Sequence, residues 1–135
     1  MHFETKTEIE EYLRQYEALR YKLEIVLSEL YGIRAVNADK EPANGGSLAD
    51  TFGKYNDLIT RETEIEKQML EIKNFIMVSF YGKGQLIIWY KYIKSMSFST
   101  IGYEMKPTMS RASVYRIYNA TIIAYIKKIR HIETQ

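Results

Sequence analysis

Between Ile9 and Leu30 the apolar residues Ile9, Tyr12, Tyr16, Leu19, Leu23, Val26 and Leu30 recur at alternating steps of three and four. Residues spaced this way share one side of an α-helix. A strand, with its side-chain period of two, scatters them over both faces. The segment therefore reads as a long amphipathic helix with a heptad seam. Thr5 or Thr7 is placed to cap it, and Glu8, Glu10 and Glu11 sit in the first turns, where the helix dipole favours negative charge. Gly32 follows the last periodic residue and is read as the C-cap.

The stretch from Arg34 to Phe52 breaks the pattern. Asn37, Asp39, Pro42, Asn44, Gly45, Gly46, Ser47 and Asp50 are turn-forming residues, so a loop is expected there. Periodicity resumes near Lys54 and runs to Phe80 through Leu58, Ile65, Met69, Ile72 and Ile76, with Glu62 as the polar interruption. Two such helices joined by a loop predict a helical hairpin, whose residual apolar surface would pair two subunits.

Tyr81-Gly82-Lys83-Gly84 ends this part and permits a change of direction. A short helix is expected over 86–94, then a turn at Ser95-Met96-Ser97. Ser97 or Ser99 would cap the next short helix, over 98–105. Pro107 disfavours helix for the residue before it, so Lys106-Pro107-Thr108-Met109 reads as a turn. Ser110 then caps a final helix to about Ile132, with Val114, Ile117, Tyr118, Ile122, Tyr125 and Ile129 as its apolar stripe. The predicted class is all-α.

Charge divides the chain at the same place. Residues 1–82 carry 10 Lys/Arg and 15 Asp/Glu, a net −5; residues 83–135 carry 9 Lys/Arg and 2 Asp/Glu, a net +7. We read residues 1–82 as an acidic helical hairpin for dimerisation or partner contact, and 83–135 as a basic domain facing a polyanion. With 46% apolar and 27% charged residues the chain has the makings of a packed core. Cys is absent, which excludes disulfides and thiolate metal sites and suits a reducing cytoplasm. His2 and His131 are the only histidines, so no metal cluster is expected. No apolar run approaches the ~20 residues that span a bilayer, and the acidic start MHFETKTEIEEY lacks the features of a secretory signal.

The informative stretch is LIIWYKYIKSMSFSTIGYEMKPTMSRASVYRIYNATIIAYIKKI. A short apolar helix, a tight turn and a helix opening on Ser110, Arg111, Ala112, Ser113, Tyr115 and Arg116 are the parts of a helix-turn-helix. Small residues at such a helix start let its backbone approach the major groove of duplex DNA. Arg111 suits bidentate contact with guanine, and Ser113 or Tyr115 a phosphate or base edge. Arg116 and Asn119 lie further along the same helix. Lys106 and Thr108 in the turn complete the candidate surface. Lys91 and Lys94 are phosphate contacts by charge, while Trp89, Tyr90 and Tyr92 beside them read as core aromatics rather than base-stacking platforms.

This order of elements resembles region 4 of sigma-70-type factors, in particular the phage-encoded sigma-like regulators of the ArpU and RinA kind. The likeness covers the final third of the chain. Ser110 matches the capping serine of the recognition helix, Arg111 and Ser113 the exposed positions after it, and Arg116 the later basic position. Where those proteins carry Gly in the turn, this chain has Lys106-Pro107-Thr108 in a longer connection, and Gly102 stands where Ala is usual. The resemblance implies a cytoplasmic transcription activator of phage or mobile-element genes in a bacterial host, with RNA polymerase as a partner. A homodimer through the N-terminal helices suits a two-fold DNA site.

Two other readings fit the same layout: a small-terminase-like packaging subunit, which predicts a ring larger than a dimer, and a protein–protein adaptor whose helix-turn-helix binds no DNA. Neither Gly45-Gly46 nor Gly82-Lys83-Gly84 satisfies the phosphate-loop pattern. Asn119-Ala120-Thr121 matches a glycosylation acceptor inside a predicted helix. No nucleophile–base pair is visible, so an enzyme is not expected and no cofactor is implied.

Overall fold

The computed structural model describes residues 3–39 and 47–133, and the side chains of residues 3–33 and 51–132. Among these the chain is all-helical. Five helices follow in order: α1 (Lys6–Asp39), α2 (Ser47–Ser79), α3 (Gly82–Tyr92), α4 (Phe98–Glu104) and α5 (Arg111–Glu133). The chain divides into two compact units. The first joins residues up to Glu17 with those from Leu70 onward, and the second is Ala18–Met69.

Local signals explain where the helices start. Thr5 Oγ1 accepts the Glu8 backbone N–H at 3.2 Å, ahead of α1. Ser97 does the same for Thr100 at α4 and Ser110 for Ser113 at α5, both at 3.2 Å. The turn between α2 and α3 is made by Gly82 at φ 64, where a side chain is disfavoured. Gln85 Nε2 donates back to the Met77 and Phe80 carbonyls, at 3.1 and 2.7 Å, and so satisfies acceptors that the end of α2 leaves open.

The stretch 34–52, expected as a loop, is helical at both ends. Residues 34–39 and 47–52 are helical, while 40–46 lie outside the described residues. Gly32 is not a C-cap but an interior residue of α1. An interior Gly costs only about 1 kcal/mol, and the helix carries on to bring Ile33 onto the core of the second unit. That core is Val26, Leu30 and Leu58, with Tyr55, Ile59 and Ile65 around it. The seam read from the sequence is largely the buried face. Ile9, Tyr16, Leu19, Val26 and Leu30 are buried, Tyr12 and Leu23 half-buried, and Leu13, absent from the seam, is completely buried.

In the first unit α3, α4 and α5 pack on one another. Ile87 and Ile88 of α3, Ile101 of α4 and Val114, Tyr118 and Ile122 of α5 are at most 1% exposed. The start of α1 and the end of α2 join through aromatic edges. Phe75 stands edge-on to Phe3, Tyr12, Phe80 and Tyr125, with ring centroids 5.3 to 5.7 Å apart. Gly84 is buried against the Thr121 side chain, so α3 and α5 approach closely there.

The boundary between residues 82 and 83, drawn from charge, falls inside the first unit. Because the acidic beginning of α1 belongs to this unit, it holds 12 Lys/Arg against 8 Asp/Glu, a net +4; the second unit holds 7 against 9, a net −2. No helix among the described residues is long and apolar enough to cross a membrane.

Candidate nucleic-acid interface

The start of α5 is held by α4 and by its own inward face. Val114 and Tyr118 are buried, as are Ile101 of α4 and Met105 just after it. The two segments are joined at the backbone, since the Met109 N–H donates to the Gly102 carbonyl at 2.9 Å. Gly102 is needed for this approach: a Cβ there would run into the Met109 carbonyl. The connection passes through extended backbone at Met105 (φ −71, ψ 148) and a cis Lys106–Pro107 peptide.

What this scaffold presents is cationic. Arg111 and Arg116 are exposed, as are Lys94, Lys106, Thr108 and Ser110. Ser113 is half-buried, and its hydroxyl accepts from Ser110 Oγ at 3.0 Å. The other candidates make contacts within the unit, Asn119 and Lys91 half-buried and Tyr115 still exposed. Tyr115 and Asn119 are both bound by the ammonium of Lys6, whose Nζ lies 3.2 Å from Tyr115 Oη and 2.8 Å from Asn119 Oδ1. Lys91 is half-buried, with its Nζ 4.2 Å from the centre of the Phe98 ring.

Further exposed positions of α5 lie beside the set read in the sequence. Helical spacing of four aligns Arg116 with Ala112 and Ala120, and all three are exposed, as are Ile123 and Lys127 beyond them. The signal for Ala112, Ala120 and Lys127 was present as the complement of the apolar stripe. The Lys6 contact has no local signal, because the bonded residues are 109 and 113 positions apart.

Behind the helix start lies a chain of polar contacts. Tyr118 Oη donates to Glu10 Oε2 at 2.6 Å. Tyr118 has a single hydroxyl proton, so the hydrogen bond with Tyr92 is donated by Tyr92. Burial pushes the Tyr92 hydroxyl up to about 12. Tyr118 is raised further, first by burial and then by its bond to Glu10. Burial also lowers the Lys91 ammonium; Glu10 opposes this and Arg14 adds to it.

Raised tyrosine values have a definite sign. The fold favours the neutral hydroxyl, so this contribution to stability is complete below the unfolded value near 10 and is lost as pH climbs toward the folded values. Each such group removes about 1.4 kcal/mol per pH unit in that window. We expect stability to fall above pH ~10 and the fall to be shallower in Tyr92→Phe. Urea titrations at stepped pH check this; equal slopes in the two proteins through that window would contradict the role given to burial.

No family model matches this chain, and neither does any curated protein or solved structure. Among the described residues no group of three His, Cys, Asp or Glu is placed to hold a metal ion. What the geometry offers is a cationic helix end, rigidly anchored from behind and open in front.

Proposed function

We propose that this protein is a helix-turn-helix transcription regulator that binds duplex DNA by seating the start of α5 in the major groove. The observation that carries this reading is the exposure of Arg111 and Arg116 at the start of a helix anchored by buried Val114 and Tyr118. A groove reader needs reach at its tip and rigidity behind it.

In this reading Lys94, Lys106 and the hydroxyls of Thr108 and Ser110 take phosphates, which fixes register without reading sequence. Arg111 reads a guanine edge, with Ser113 beside it, and Arg116 contacts a base or the flanking backbone. Ala112 is small enough to let the helix backbone approach. Tyr115 stays exposed while bonded to Lys6, and half-buried Asn119 and Lys91 support the surface from its inner side. In the second unit Tyr21, Ile25, Leu27, Tyr31 and Phe52 are exposed apolar residues, which supports pairing of subunits or contact with RNA polymerase through α1 and α2.

The test is fluorescence anisotropy on duplexes selected from a random pool. Arg111→Ala is expected to cost about 1–3 kcal/mol on the selected site and to relax one base preference. Lys106→Ala is expected to weaken selected and random DNA alike and to reduce the slope of log K against log salt by about 1. Equal losses on selected and random DNA for Arg111→Ala would remove base readout from that residue. Absence of binding at low salt would remove the DNA function and leave the adaptor reading. Light scattering that shows a ring larger than a dimer would favour the packaging reading.

A further inference from the structure

A cleft of about 370 Å³ opens in the first unit, walled by the beginning of α1 and by α3, α4 and α5. Its volume lies in the range of small-ligand sites. Three cations line it, Lys6, Arg14 and Lys91, against the carboxylates of Glu10 and Glu17, and the rest of the wall is mainly aromatic, with Phe98 and three tyrosines. The polar groups divide into two sets. Glu10 receives the Tyr118 hydroxyl, and Lys6 is bonded to Asn119 and Tyr115. Glu17 has a partner of its own. Arg14 and Lys91 form the second set: Lys91, half-buried with its ammonium on the Phe98 ring, is repelled by Arg14 but attracted more strongly by Glu10.

We propose that this cleft binds a small organic anion carrying one flat ring, with the anionic group between Arg14 and Lys91 and the ring against Phe98. The lining carries three cations against two carboxylates, so one positive charge is left over, and Lys91 is partly withdrawn from water; an anion between Arg14 and Lys91 supplies the missing negative charge. Anions without a ring would forgo the aromatic wall, and neutral rings would leave the net positive charge of the lining unmet. A DNA phosphate is the weaker candidate, because Lys91 is half-buried beneath Phe98 whereas the cations at the start of α5 are open. The site stands whether or not α5 reads DNA.

The experiment is an NMR titration of the full chain with phenyl phosphate, with inorganic phosphate and benzyl alcohol as the other probes. Saturating shifts at Arg14, Lys91 and Phe98 are expected with phenyl phosphate, at least about tenfold tighter than with either other probe, the factor that ~1.4 kcal/mol represents. Arg14→Gln and Lys91→Met should each weaken binding about tenfold or more. Lys83→Gln, exposed and outside the cleft, should leave it unchanged. Thermal melts by circular dichroism confirm that the variants are folded. Three results would overturn the proposal: no saturation with phenyl phosphate, equal affinity for inorganic phosphate, or shifts confined to Arg111 and Arg116. So would a loss of DNA binding in Arg14→Gln and Lys91→Met without any phenyl phosphate binding to the parent chain.

Discussion

Tyr118→Ala is expected to lower the folding stability by about 3–5 kcal/mol, the range for removing a buried aromatic side chain. Tyr118 is 1% exposed and is among the largest fully buried side chains. Its ring lies 5.1 Å from Phe98 and 6.3 Å from Tyr92, centre to centre, which ties α5 to α4 and α3. Its hydroxyl joins Tyr92 to Glu10, which ties α5 to α1. Truncation leaves a cavity, removes those ring contacts and strands two polar partners.

Tyr118→Phe separates the terms. It keeps the ring and deletes only the hydroxyl, so its cost is about 1–3 kcal/mol, that of an orphaned polar group. The lower end is expected, because Glu10 is only half-buried and regains water. Urea denaturation followed by circular dichroism measures both. A loss below about 1 kcal/mol for Tyr118→Ala would mean that the site collapses without a cavity, against the packing described.

Gly102→Ala is the second large effect, for the opposite reason. Here one methyl is added where there is no room. The atom it meets is the Met109 backbone carbonyl, which cannot rotate aside as a side-chain tip would. Either α4 moves away from the turn or the turn moves, and the Met109 N–H bond to Gly102 is stretched. Overpacking of this kind costs about 1–3 kcal/mol. Gly53→Ala makes the matching control: it also lies inside a helix, nothing stands within 4 Å of its added methyl, and it is expected to gain up to about 1 kcal/mol. If α5 reads DNA, Gly102→Ala also weakens selected-site binding although Gly102 is assigned no contact, because Met109 leads directly into Ser110 and Arg111. Similar stability changes for the two glycine variants would mean that helix propensity, not close approach, decides at Gly102.

Caps and periodic faces were legible because each depends on residues within a turn or two of one another. Thr5, Ser97 and Ser110 cap by a side chain reaching three residues ahead, and the stripe through Val114, Tyr118 and Ile122 follows from 3.6 residues per turn. Helix ends around residues 34–52 were misread because α1 runs on to Asp39 and α2 starts at Ser47, and a single turn-forming residue such as Gly costs a helix only about 1 kcal/mol.

By itself the amino-acid order determined that this chain is helical, which faces of its helices are apolar, and that its positive charge gathers after residue 82. Tertiary structure alone decided that the acidic opening of α1 packs beside the basic helices, turning Lys6 onto Tyr115 and Asn119 and Glu10 onto Tyr118. The reason is one of range. Helical periodicity and capping act over a few residues, whereas partners separated by more than a hundred positions meet only where burial of apolar surface brings their helices together.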